Sequence, residues 1–223
     1  MAGTVMHIVI ADRLIEILQI QNPGYFFCGN LAPDAMMARK NYTREMKRHT
    51  HFKDGIHLHE LRDPEKYAVY LERLKEFYHN FVEKEDPHHE IYLGYLTHML
   101  VDELYIFHFR DSFVDRLVAS GRSAMDGEFW PVFAKDVDLV DLELVKENPF
   151  HYPMPESLRI AESYEIPGLI TAEELVDSKE FIIQKNFSGK KPERELAVMT
   201  MEENKKFIEL CVQEIPQILR ERF

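Results

Sequence analysis

The sequence predicts an all-α protein, a multi-helix bundle around a buried central helix at about residues 90–119. Three observations carry this. Glycine is scarce, 9 residues in 223, and apolar residues recur mostly at intervals of three and four. The stretch Ile91–Phe109 is apolar almost all round, the mark of a helix enclosed on every side. Helix starts are written out at Asp63-Pro64, Thr171-x-x-Glu174 and Thr200-x-x-Glu203.

In order, the first helix is expected over about Thr4–Gln19, with Thr4 as its cap and His7, Ala11, Leu14 and Leu18 on one face. Asn22-Pro23-Gly24 breaks it. Tyr25–Asp34 ends in a Pro-Asp pair that reads as a turn. Arg39–Glu60 is polar and His-rich and reads as irregular. A helix opens at Asp63-Pro64 and runs to about Lys84. Pro87 leads into the central helix, and Gly121–Pro155, punctuated by Pro131, Pro149, Pro153 and Pro155, reads as less regular. The boxes at Thr171 and Thr200 open the last two helices, separated by a basic surface loop at Lys185–Arg194. No repeat or composition break divides the chain, so residues 1–223 read as one domain.

Composition narrows function. With 27 Lys+Arg against 39 Asp+Glu the net charge is −12, unlike a nucleic-acid coat, which needs a basic footprint. The apolar stretch at 91–109 contains His98, Asp102, Glu103 and His108, which are costly in hydrocarbon, so no stable membrane insertion is expected. The first 20 residues carry Asp12, Arg13 and Glu16 and no cleavage site, and the two cysteines, Cys28 and Cys211, form no disulfide framework, so a cytoplasmic location is expected. A bound metal would need His and carboxylate ligands.

The central helix holds the strongest local signal. His98 and Asp102 are four apart, about 40° from one another on one face. That face also carries Tyr95 and Tyr105, which could orient a substrate or simply pack. A buried His and Asp must be satisfied by each other, by backbone or by a metal ion. His7 lies on an apolar helix face, Asp34 follows Pro33 in an apolar setting, and His49 and His51 alternate in Arg-His-Thr-His-Phe. Singly, each has a plain reading: core histidine, helix cap, polar loop. Together they offer a nitrogen and oxygen set suited to zinc, or to iron or manganese. Glu103, about 100° from Asp102, reads as supporting or surface.

The order His7, Gly29-Asn-Leu-Ala-Pro-Asp34, Thr50-His51-Phe52 and Gly94-Tyr-Leu-Thr-His98-Met-Leu-Val-Asp102 resembles the zinc-dependent phospholipase C family. This family, in its compact, non-secreted branch, shares an all-α fold with secreted bacterial phospholipases C and single-strand-specific zinc nucleases. The motifs span Met6 to about Phe109. The resemblance implies a metal site in the N-terminal half, residues 7–109. Asp34, His51, His98 and Asp102 would form the principal site, with Asp34 also acting on the attacking water. Asp102 would bridge to a second ion held by His7. Secreted members complete that ion with the mature N-terminal amine, a ligand not expected here, where Met-Ala-Gly-Thr-Val-Met precedes His7. His51 is preferred to His49 because Phe52 follows it. His108 sits at the spacing of a third-ion ligand. One or two zinc ions are therefore expected.

The activity this implies is hydrolysis of phosphoric esters by a metal-activated water attacking phosphorus, on a small phosphoester or a lipid head group. Two alternatives remain. A His-Asp-type nucleotide phosphohydrolase would need an adjacent His-Asp dipeptide, which the sequence lacks. A non-catalytic metal-binding or partner-binding helical protein would close its site with protein ligands, where an enzyme needs an open position beside a cleft.

Overall fold

A computed structural model describes residues 2–84, 86–123, 126–189 and 194–223. Those residues form helices α1 (Thr4–Ile17), α2 (Pro23–Ala35), α3 (Arg44–Thr50), α4 (Pro64–Phe77), α5 (His89–Leu104), α6 (Arg110–Ala119), α7 (Asp126–Glu147), α8 (Glu156–Ile160), α9 (Ala172–Asn186) and α10 (Met201–Arg222). They contain no β-strand, only an isolated bridge between Ile166 and Ile170. The fold is all-α. No described helix is long and apolar enough to cross a membrane.

The central element spans 89–119 as expected, but it is not one uniform helix. A π segment, Tyr105–Phe109, joins α5 to α6. Nearly all of α5 is buried, and its main partner is α2. Two glycines set that contact. A Cβ on Gly29 would lie 1.7 Å from the Ile91 carbonyl oxygen, and one on Gly94 would lie 2.2 Å from that of Phe26. Only glycine lets the two backbones approach so closely. Helices α1 and α9 pack on α2, while α10 lies against α1 and α5 and α7 lies against α1.

Three sequence expectations need correcting. The Pro33-Asp34 pair is not a turn: α2 runs through it, with Pro33 inside its last turn and Asn22 capping its start through the Tyr25 amide. Burial against α5 outweighs the local cost of the proline. Residues 39–60 are partly ordered: Thr43 caps α3, and a 3₁₀ turn covers Leu58–Arg62. The segment 121–155 holds the 22-residue α7, which tolerates Pro131 in its early turns.

Smaller shifts have local causes. Helix α1 starts where expected, but Thr4 is its first residue and Gly3 its N-cap. The acceptor at that end is Asp141 from α7, taking the Met6 amide at 3.2 Å, and a Cβ on Gly3 would collide with it. Lys185 belongs to α9 and pairs with Asp138; residues 190–193 of the expected basic loop lie outside the described residues. The starts of α4, α9 and α10 fall at Asp63, Thr171 and Thr200, each capping through its side chain.

Candidate metal centre

Four elements bring five side chains to one place: α1 supplies His7, α2 supplies Asp34, the residue ending α3 is His51, and α5 supplies His98 and Asp102. His7, His51, His98 and Asp102 are all 2% exposed or less. Asp34 is the most open, with 22% of its side chain exposed. The Gly29–Gly94 contact has a direct consequence here. It lets His98 Nδ1 reach the Asn30 carbonyl oxygen at 2.8 Å. A carbonyl only accepts, so Nδ1 carries the proton and the Nε2 lone pair points into the cluster. His51 is held from behind in the same manner, its Nδ1 lying 3.1 Å from Thr50 Oγ1, while Thr50 itself donates to the Pro33 carbonyl.

The atoms facing one another stand at the long edge of hydrogen-bonding distance or beyond it. His51 Nε2 lies 3.4 Å from Asp34 Oδ1 and 3.7 Å from Asp102 Oδ2, and His7 Nε2 lies 3.6 Å from Asp102 Oδ1. The rings of His7 and His98 stack at 3.8 Å. His7 Nδ1 and Nε2, His51 Nε2 and His98 Nε2 are buried without any hydrogen-bond partner among the described residues. Such orphaned lone pairs are costly unless something else fills them.

The charge states suit ligation. Burial pushes the His98 imidazole down to about 3, with neighbouring His7 adding to the effect. Burial also lowers His7, and burial followed by Lys47 takes His51 well below its ordinary value. Burial alone would raise the two carboxyls, yet both are lowered: Asp34 chiefly by Lys47, Asp102 by nearby positive charge together with hydrogen bonding from His7. The result at neutral pH is three neutral imidazoles and two carboxylates, the states in which His and Asp bind metal.

Two triads have one ligand atom from each member within 4.8 Å of the others: His7, His98 and Asp102, and Asp34, His51 and His98. Tetrahedral zinc with ligands at ~2.1 Å separates those ligands by about 3.4 Å. The 3.4 to 3.7 Å spacings match that edge length. The donor set therefore fits zinc.

A model of the zinc-dependent phospholipase C family matches residues 6–153. The chain belongs to this family. No curated protein and no solved structure matches it. The match to the zinc-dependent phospholipase C family reaches beyond the Met6–Phe109 motifs and takes in α7; α8, α9 and α10 lie outside it.

Helix α7 and the unmatched α9 still shape the site. A cavity of about 860 Å³ opens over the five side chains. Trp130, Phe133 and Val137 of α7 and Phe181 and Ile182 of α9 form an apolar wall. Arg44, Lys47, Arg48 and Lys53 also line the cavity.

Five residues singled out in the sequence stand elsewhere. His49 is exposed and turned to Asp54, Nδ1 to Oδ2 2.8 Å, because two residues along α3 reverse the direction of a side chain. His108 is exposed on the π segment, outside both triads. Tyr95 and Tyr105 do not line the cavity. Tyr95 donates its hydroxyl to the Thr50 carbonyl behind His51, and Tyr105 packs on Phe109 and Phe207. Glu103 supports the core: its carboxylate accepts from Tyr67 and Arg222 at 2.9 Å each.

Three nearby residues were not anticipated. Asn30 orients His98. Lys47 ion-pairs with Asp34 at 2.6 Å, and the buried Lys53 comes 4.0 Å from Asp102. The Lys47–His51 spacing of four would have placed both on one helix face, but only once α3 is recognised as a helix.

Proposed function

We propose that this member of the zinc-dependent phospholipase C family is a zinc-dependent hydrolase of phosphoric esters, with His7, Asp34, His51, His98 and Asp102 holding one or two ions. The observation that carries this is the convergence of orphaned, buried imidazole lone pairs and two carboxylates on the floor of an open cavity. A purely structural ion would be enclosed by protein, whereas this cluster faces space large enough for a small phosphoester or a lipid head group. Bound zinc would supply the acidity that makes water a nucleophile at neutral pH and the charge that stabilises the phosphoryl oxygens.

The chain's own residues set the geometry. Asn30 and Thr50 fix the two imidazole planes so that their Nε2 atoms face inward. Lys47 keeps Asp34 ionised. Asp34 is the candidate ligand most open to the cavity, placed to accept a hydrogen bond from the attacking water and to aim it at phosphorus. The α7 and α9 wall excludes water from the far side of the substrate.

The test compares zinc-loaded and chelator-stripped protein on aryl phosphomonoesters and phosphodiesters, alongside His98→Ala. Zinc-dependent turnover that His98→Ala abolishes supports the reading. Less than about half an equivalent of any transition metal in protein purified without chelator contradicts it. So does a metal-loaded protein inert on every ester.

A further inference from the structure

The two lysines at the candidate metal centre are not explained by ligation. Lys47 sits one helical turn before His51, with Nζ 2.6 Å from Asp34 Oδ1. Lys53 is 6% exposed; its Nζ lies 4.0 Å from Asp102 Oδ2 and 5.8 Å from the centre of the Tyr70 ring. At that distance Lys53 makes no hydrogen bond to Asp102, so a buried ammonium keeps donors to spare. Both side chains line the cavity. Among the described residues their ion pairs are only with these two carboxylates, whereas Arg48 is engaged with Glu45 and His57, and Lys185 with Asp138.

Charge balance turns this into a statement about substrate. Asp34 and Asp102 carry two negative charges, and Lys47 and Lys53 carry two positive ones. The four cancel. A dication on the same carboxylates leaves the floor of the cavity at +2, and a second ion leaves it more positive. Buried uncompensated charge is unfavourable, so of two competing anions the loaded site favours the more highly charged one. The rest of the cavity lining does not call for a cation. Its large groups are Trp130, Phe133 and Phe181; Asp138 is paired with Lys185, Asp141 accepts from the Met6 amide, and Asp177 stands exposed at the rim.

The geometry points to an anion subsite formed by Lys47 and Lys53 that selects a phosphomonoester dianion over a diester or an ester with a cationic head group. This rests on the proposed phosphoester hydrolase reading. In the reaction, water oxygen bonds to phosphorus, the ester P–O bond breaks and one water proton goes to the departing alkoxide. The products are an alcohol and inorganic phosphate. The lysine ammoniums hold non-bridging oxygens, and the apolar wall receives the neutral alcohol portion.

The test uses the zinc-loaded full chain, with inorganic phosphate as the binding probe in calorimetry. Lys47→Met and Lys53→Met are each expected to weaken phosphate binding about tenfold or more at unchanged zinc content, the loss of one charge-assisted hydrogen bond. Lys53→Arg should retain most of the affinity, and Lys205→Met, on α10 and paired with Glu147, should bind as wild type does. Wild type should bind phenyl phosphate more tightly than diphenyl phosphate. It should also favour p-nitrophenyl phosphate in kcat/KM over bis(p-nitrophenyl) phosphate and p-nitrophenyl phosphorylcholine. Unchanged phosphate affinity in both Met variants overturns the subsite. So does preference for the diester or the choline ester, a comparison that needs wild type alone if the variants misfold. Phosphate binding that depends on the lysines, without turnover of any ester, would retain the subsite and defeat the hydrolase reading. Failure to bind zinc would defeat both.

Discussion

Replacing Gly29 by alanine tests whether the α2–α5 contact builds the metal centre. The added Cβ would lie 1.7 Å from the Ile91 carbonyl oxygen, half the 3.4 Å at which ordinary contact begins, with Ile91 C at 2.6 Å behind it. All the obstructing atoms are backbone, so no side chain can swing aside and the helices must separate. Overpacking typically costs 1–3 kcal/mol, and a clash of this depth belongs at about 3. Alanine returns up to about 1 kcal/mol through its better helix propensity. The net is a loss of about 2 kcal/mol, or about 4–8 °C in Tm for a chain of this size. Separation also stretches the 2.8 Å bond from His98 Nδ1 to the Asn30 carbonyl, and losing such a supporting bond weakens metal binding by about tenfold or more. Thermal melts in chelator and zinc titration against a competing dye measure the two effects. Gly127→Ala is the control, since nothing lies within 4 Å of its Cβ; its Tm should stay level or rise. A Gly29→Ala protein with wild-type Tm and zinc affinity would refute the reasoning.

Three further outcomes are expected. Burial raises the Asp141 carboxyl to about 7 against the pull of the Val5 and Met6 amides. Its contribution to stability is therefore full below about pH 4 and lost as pH rises through 7. Relative to wild type, Asp141→Asn should gain stability between pH 4 and 7, by up to about 4 kcal/mol, and level off above; a flat difference in denaturant melts across that range would contradict this. Arg222→Ala leaves Glu103, 4% exposed, with Tyr67 as its remaining hydrogen-bond partner. The cost should be about 2 kcal/mol by urea denaturation, below the usual range for buried pairs because Arg222 is a fifth exposed. His108→Ala should leave zinc content at the wild-type level, as befits an exposed residue outside both triads.

What could be read from the sequence had a local cause. Asp63 before Pro64, and Thr171 and Thr200 each three residues before a glutamate, fix helix starts through bonds within one turn. The 91–109 stretch reads as a buried helix because burial on all sides leaves no polar face. What could not be read depends on contacts made elsewhere. Pro33 inside α2 is tolerated because Gly29 and Gly94 lock α2 to α5. Prolines obscured α7, although Phe129, Phe133, Asp136, Val140 and Leu144 are buried at helical spacing. Tyr95 and His98 share a helix, yet Tyr95 turns to Thr50 and only His98 meets the cavity. Lys47 and Lys53 look like surface charges until α3 folds them against Asp34 and Asp102.

The most direct test of the metal centre is an anomalous difference map at the zinc edge from crystals of protein purified without chelator. A peak about 2.1 Å from both His98 Nε2 and His51 Nε2, with Asp34 and Asp102 closing around it, is predicted. A second peak, if present, should lie against His7 and Asp102. A map empty at His98, or one with its zinc at the exposed His49 or His108 instead, would contradict the account.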